Sequence, residues 1–166
     1  QEGTLISGIR VIQHKDFSFV WHMNEYVAKT LKAIDAPRGL LSSSEELSED
    51  NMGKVMSCNG QIGWCGGNGR PDLAAGHSII AGQYKTKKPD LISQCNQCVK
   101  QAKGVNVEMR IWCIPPQDIR MVTFADSSFD FSGERHQQGW ICGFTNKHLN
   151  MNMRAPVSIC IWKSRR

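Results

Sequence analysis

Four groups of residues are of types that could do chemistry. Cys95-x-x-Cys98 has the spacing of half a zinc site or of a redox dithiol. Zinc needs about four N or S ligands, and the remaining cysteines, at positions 58, 65, 113, 142 and 160, offer no second close pair. Both Cys95 and Cys98 also fall on the apolar side of a predicted helix, where a free thiol packs as a small hydrophobe. The expectation is core packing, with neither zinc nor a structural disulfide. Gly63, Gly66, Gly67 and Gly69 could cradle a phosphate. However, no Lys-Ser/Thr pair follows and no strand leads in, so the stretch reads as a helix C-cap and turn. His77 shares an apolar stripe with Leu73, Ile80 and Tyr84, the setting of a packed core histidine. Asp126, in Thr123-Phe124-Ala125-Asp126-Ser127-Ser128, ends an apolar strand; taken alone, an acid there is a turn residue.

Positioning these groups takes helices followed by strands. Leu5 to Ile12 and Phe17 to Trp21 form two apolar runs separated by Gln13-His14-Lys15-Asp16, the pattern of a β-hairpin. A helix opens at Asn24-Glu25, carries Val27, Leu31 and Ile34, and is ended by Pro37. Residues 38–50, rich in Ser and acids, read as an exposed linker. Helical spacing resumes over Met52, Val55, Met56, Asn59 and Ile62. Gly60 and Gly63 each cost about 1 kcal/mol relative to Ala there and imply close packing against another element. Arg70-Pro71-Asp72-Leu73 starts a second helix. Asp90 caps a third, which carries Ile92, Cys95, Val99 and Ala102. After Gly104 the apolar period becomes two, through Val107, Met109, Ile111 and Cys113, until Pro115-Pro116 closes the strand. Further strands are predicted near Ile119–Asp126, Trp140–Phe144 and Val157–Trp162. The expected class is α+β: a mainly helical lobe over residues 1–104 and a small antiparallel sheet over 105–166.

Apolar residues at 40% and charged residues at 21% exclude a disordered or collagen-like chain. No apolar run approaches the roughly 18 residues of a membrane span, so no membrane partner is expected. Seven cysteines, an odd number, point to reduced thiols and an intracellular setting, cytoplasmic or nuclear. The first residues carry neither a secretory signal nor an initiator Met, which reads as a piece of a longer precursor or an incomplete frame. Residues 1–130 hold fourteen basic and fourteen acidic side chains, whereas 131–166 hold Arg135, Lys147, Arg154, Lys163, Arg165 and Arg166 against Glu134 alone. The net charge of +5 therefore lies in the last segment. A solvated surface explains such asymmetry most plainly; a polyanionic partner is the other explanation.

Taken in order, these landmarks resemble the reverse transcriptase–RNase H region of copia-type LTR retrotransposons. The resemblance rests on Leu5-Ile6-Ser7-Gly8-Ile9, on the strand and helix over Phe19 to Tyr26, and on Arg70-Pro71-Asp72-Leu73. It also rests on Phe124-Ala125-Asp126 followed by Gly139-Trp140, and on Val157 to Ser164. The family has Ala-Asp where this chain has Ser127-Ser128.

The resemblance implies a thumb/connection-like region over 1–104 and, over 105–166, a connecting strand and the opening of an RNase H-like sheet. It implies that Asp126 is the first RNase H acid and a metal ligand only in a completed domain, with Mg2+ as the cofactor there. RNase H chemistry uses two metals about 3.5–4 Å apart and several converging carboxylates. The family's other acids lie beyond this segment, and Asp130 and Glu134 do not match them. The implied role is to hold an RNA–DNA hybrid or primer–template, through cations such as Lys163, Arg165 and Arg166, with the remainder of the polyprotein as partner. The parent would be an RNA-directed DNA polymerase and ribonuclease H, and this segment alone would be inactive. The alternative is a decayed or domesticated remnant that acts as a nucleic-acid or protein interaction module. A thiol-based redox or zinc protein would rest on Cys95 and Cys98 alone.

Overall fold

The computed structural model describes residues 3–36, 39–42, 44–128, 137–151 and 153–165. It has an α+β fold, with four α-helices and two antiparallel sheets among the described residues. The N-terminal apolar segment makes three strands, β1 (Thr4–Ile6), β2 (Ile9–Gln13) and β3 (Phe19–His22). The extra break comes from Ser7-Gly8, both at positive φ (49° and 85°), the two-residue turn whose twist matches paired strands.

Helix α1 (Asn24–Thr30) stops sooner than the predicted run to Pro37. Downstream, Asn96 takes the backbone of Ile34 in both directions. Its Oδ1 accepts from the Ile34 N–H (2.7 Å) and its Nδ2 donates to the Ile34 carbonyl (3.0 Å). A side-chain amide thus replaces the helical ladder and draws residues 31–36 into an extended path that still buries Leu31 and Ile34.

The predicted linker is partly structured. Leu40–Ser42 form a 3-10 turn, Leu47 is buried, and its N–H donates to the Lys87 carbonyl (2.7 Å). Glu49 and Asp50 already belong to α2 (Glu49–Asn68), where they favour the positive end of the helix dipole. Ser48 caps this helix by accepting from the Asn51 N–H.

Helix α2 also runs through the glycines expected to end it, and only Gly69 is its C-cap. Gly63 and Gly66 let α3 (Ala74–Ala81) approach. A Cβ on Gly63 would lie 2.5 Å from the His77 ring, and one on Gly66 would lie 3.2 Å from the Ala74 backbone. His77 is held there, with Nδ1 3.0 Å from the Asn59 carbonyl, while buried Asn59 donates to the Tyr84 hydroxyl (2.7 Å). Helix α4 (Asp90–Gly104) begins after Pro89, with Asp90 inside the first turn and not at the cap. It buries Leu91, Ile92, Cys95, Cys98, Val99 and Ala102 against the other helices.

Arg70 joins these helices. Its side chain is 1% exposed. The guanidinium grips both carboxylate oxygens of Asp72 (2.8 and 2.9 Å) and donates to the Ala102 carbonyl in the last turn of α4 (2.7 Å). Its backbone N–H donates to the Cys65 carbonyl of α2 (2.9 Å). Partial burial of Asp72 opposes its charge. The hydrogen bonds and positive charge of Arg70, with help from Gln101, outweigh that and hold its carboxyl below the ordinary value.

β4 (Glu108–Ile111) pairs with β3, through His22↔Glu108 and Phe19↔Ile111, and completes a sheet ordered β1-β2-β3-β4. The expected sheet over 105–166 is thus divided. Its first strand folds back onto the N-terminal hairpin, because Pro115 and Pro116 lack the N–H groups that would extend the ladder. The second sheet is a meander of β5 (Ile119–Ser128), β6 (Gln137–Asn146) and β7 (Val157–Arg165). Trp162 fastens it to the helices by donating its indole N–H to the Gly66 carbonyl, and the Trp112 N–H donates to Ser158 Oγ (2.9 Å). No helix among the described residues is long and apolar enough to cross a membrane.

Two outcomes follow for stability. Gly63→Ala should lower the unfolding free energy by about 1–3 kcal/mol, because the pinned His77 ring must move. Gly60→Ala, where a Cβ meets nothing within 4 Å, should raise it by about 0.5–1 kcal/mol; paired denaturant melts read both signs. Since the Asp72 carboxyl is depressed in the fold, its stabilising contribution is present above the unfolded value of about 3.9 and lost as pH falls through the folded value. Asp72→Asn should therefore cost about 3 kcal/mol at neutral pH, because it strands a buried guanidinium. It should also flatten the acid limb of a stability-versus-pH curve.

Candidate nucleic-acid interface

Strand alternation divides the meander side chains between two faces. The register aligns Asp126 with Gly139 and Ser164, and Phe124 with Ile141 and Trp162. These six belong to the inner face, which Trp162 turns toward α2 and α3. Together with Pro71, Ala74 and Ala75, and with Ala125, Gln137, Trp140 and Lys163, they line an open groove of about 400 Å³. Asp126 stands at its exposed rim, where Oδ1 accepts from the Ser127 N–H (2.8 Å).

The outer face carries the other alternation: Ala125, Trp140 and Lys163 in one row, and Ser127, Gln138 and Arg165 in the next. Lys163 and Arg165 are exposed, and neither forms an ion pair among the described residues. By the alternation of the ladder Asp126 belongs to one face and Lys163 and Arg165 to the other, although Lys163 also lines the groove. Arg166 lies outside the described residues, as do Asp130 and Glu134.

The donor set does not fit a two-metal centre. Asp126 is the only carboxylate among the described residues that line the groove. No group of three or more His, Cys, Asp or Glu side chains able to hold a metal occurs among the described residues. One carboxylate cannot neutralise and orient two divalent ions.

Comparison of the chain with protein-family models, with curated proteins and with solved structures finds no match.

Several features of the site were not anticipated from the sequence. Trp162 is the clamp between the meander and α2, yet its strand phase alone does not indicate which helix it meets. The signal for a sheet with apolar groups on both faces is present in β6, where Trp140, Cys142 and Phe144 fall on one alternation and Ile141 on the other. The thiols also find unforeseen partners: Cys58 of α2 donates to the Lys32 carbonyl (3.8 Å), and Cys95 of α4 donates to the Val55 carbonyl of α2 (3.9 Å). Its interaction with Cys58, followed by burial, pushes the Cys95 thiol up, while burial raises Cys65 to about 11.

Thiol reagents should accordingly discriminate. Exposed Cys113 and Cys160 should react first in the native protein, with Cys65, Cys95 and Cys98 protected until unfolding. Mass mapping after a short pulse of iodoacetamide checks the order, and early labelling of Cys95 would contradict the packing described.

Proposed function

We propose that the chain is a nucleic-acid-holding segment of a copia-type reverse transcriptase–RNase H, with no complete catalytic centre of its own. The observation that carries this reading is the meander. Its first strand ends near an acid, Asp126, directly opposite Gly139, and its last strand carries Lys163 and Arg165, which form no ion pair among the described residues. The landmarks of the family resemblance thereby become neighbours in space, although Phe124 to Asp126 and Gly139-Trp140 are separate in sequence. β4 acts as the connecting strand between the helical lobe and the meander. Phosphate contacts by Lys163 and Arg165 position a hybrid without reading its sequence, and the acids that would join Asp126 and bind Mg2+ come from elsewhere in the polyprotein.

Anisotropy of a labelled RNA–DNA hybrid, titrated with the 166-residue chain at 50 and 200 mM salt, tests this. Two or three neutralised phosphates predict a loss of about 10- to 40-fold in affinity over that range. The double reversal Lys163→Glu, Arg165→Glu should abolish most of the binding that remains, and hybrid incubated with the chain and Mg2+ should stay intact. Salt-independent binding would overturn the holding role. Magnesium-dependent cleavage by this chain would overturn the assignment of its incomplete site.

A further inference from the structure

The outer face of the meander exposes a set of large apolar side chains. Met121 is 72% exposed, Ile161 56%, Phe144 44% and Trp140 37%. These side chains lie on one side of three adjacent strands by the alternation of the ladder. Isolated exposed apolar side chains are unremarkable in proteins, but a contiguous set across a sheet marks an interaction surface. Its charge is one-sided. Lys163 is the direct neighbour of Trp140, Arg165 is one row beyond, and no carboxylate occurs among the described strand residues of this face.

We infer that this outer face binds single-stranded nucleic acid, with bases stacked on Trp140 and Phe144 and the backbone drawn along Lys163 and Arg165. This deepens the nucleic-acid reading above and rests on it, but it names a different form of the ligand and the face opposite the Asp126 side chain, whose Trp140 and Lys163 also line the groove. Trp140 and Phe144 are four residues apart on β6, about 13 Å at the rise of a strand. Two flat aromatic groups on an open sheet, flanked by cations, form a stacking platform that suits any base, because every base offers a π-face. A paired hybrid keeps its bases stacked within the helix and offers this face phosphates alone.

The charge pattern also selects against the other occupants. A second copy docking through the same face would bring two further cations and, among the described strand residues, no acid to meet them. A protein partner that covered Lys163 and Arg165 without supplying carboxylates would bury unpaired charge.

The test uses fluorescein-labelled twelve-nucleotide oligouridylate and oligodeoxythymidylate beside an RNA–DNA hybrid of equal length, each titrated with the full chain. The expected result is tighter binding of both single strands than of the hybrid, with quenching of tryptophan emission. Trp140→Leu should weaken single-strand binding at least 5-fold and leave hybrid binding within 2-fold. Trp140→Phe, which keeps an aromatic face, should restore most of it. Circular dichroism melts of both variants distinguish loss of stacking from loss of fold, and Phe144→Leu repeats the measurement at the second position if Trp140→Leu unfolds.

Hybrid binding without single-strand binding would overturn this inference and leave the broader reading standing, whereas failure of every probe would overturn both. Equal single-strand affinity for the folded Trp140→Leu and Phe144→Leu proteins would overturn the stacking platform. Sedimentation that reveals a dimer abolished by Trp140→Leu, with no oligonucleotide bound, would assign the face to a second copy and overturn the inference.

Discussion

A guanidinium withdrawn almost wholly from water is the interaction on which the helical lobe depends. Burying the charge of Arg70 is costly unless each side of the group finds a partner. Here Asp72 takes two N–H groups and the Ala102 carbonyl takes another. With the Arg70 backbone N–H on the Cys65 carbonyl, these bonds tie together the end of α2, the approach to α3 and the last turn of α4. That last turn would otherwise expose an unsatisfied carbonyl. The pair specifies an arrangement more than it adds stability: apolar residues could fill the same volume, but would not dictate which helix end meets which.

The placement of the meander follows from that arrangement. Once Arg70 and the glycines of α2 bring α3 against α2, the Gly66 carbonyl is the point at which the Trp162 indole can donate. Glycine at position 66 meets a packing need and leaves the carbonyl open to a ring from another sheet. The meander is then attached by one edge and one inner patch, which leaves its outer face and the rim around Asp126 open. An acid at an open rim, with no second carboxylate beside it among the described residues, can orient a turn or await further ligands, but cannot by itself activate water with two metals.

The cysteines belong to the same packing. Cys58, Cys65, Cys95 and Cys98 line the helical core as small apolar groups, and burial disfavours the thiolate of Cys65, Cys95 and Cys98. The C-x-x-C spacing that looks chemical in a sequence is here one turn of one buried helix face. The thiol of Cys95 donates to the Val55 carbonyl on another helix.

Much of the local structure could be read from the sequence because its causes are local. The switch of apolar period after Gly104, the helical spacing over Met52 to Ile62 and the three late strands are each dictated by which side chains must face a core, and the α+β class follows from them. Even the early end of α1 was hidden because its cause is distant: Asn96, sixty-two positions away, captures the backbone of Ile34. The same holds for β4, whose alternation marks a strand but does not say which of two sheets offers it a free edge. For the candidate site, the sequence identified Asp126, Lys163 and Arg165 as residues of interest. Only the tertiary structure decided that the acid and the cations lie on opposite faces, since a strand's period of two becomes inside and outside only when one face meets another element. Residue type and period settle what a segment becomes; partner choice depends on contacts between segments that no local pattern encodes, and here a buried arginine and a glycine carbonyl make that choice.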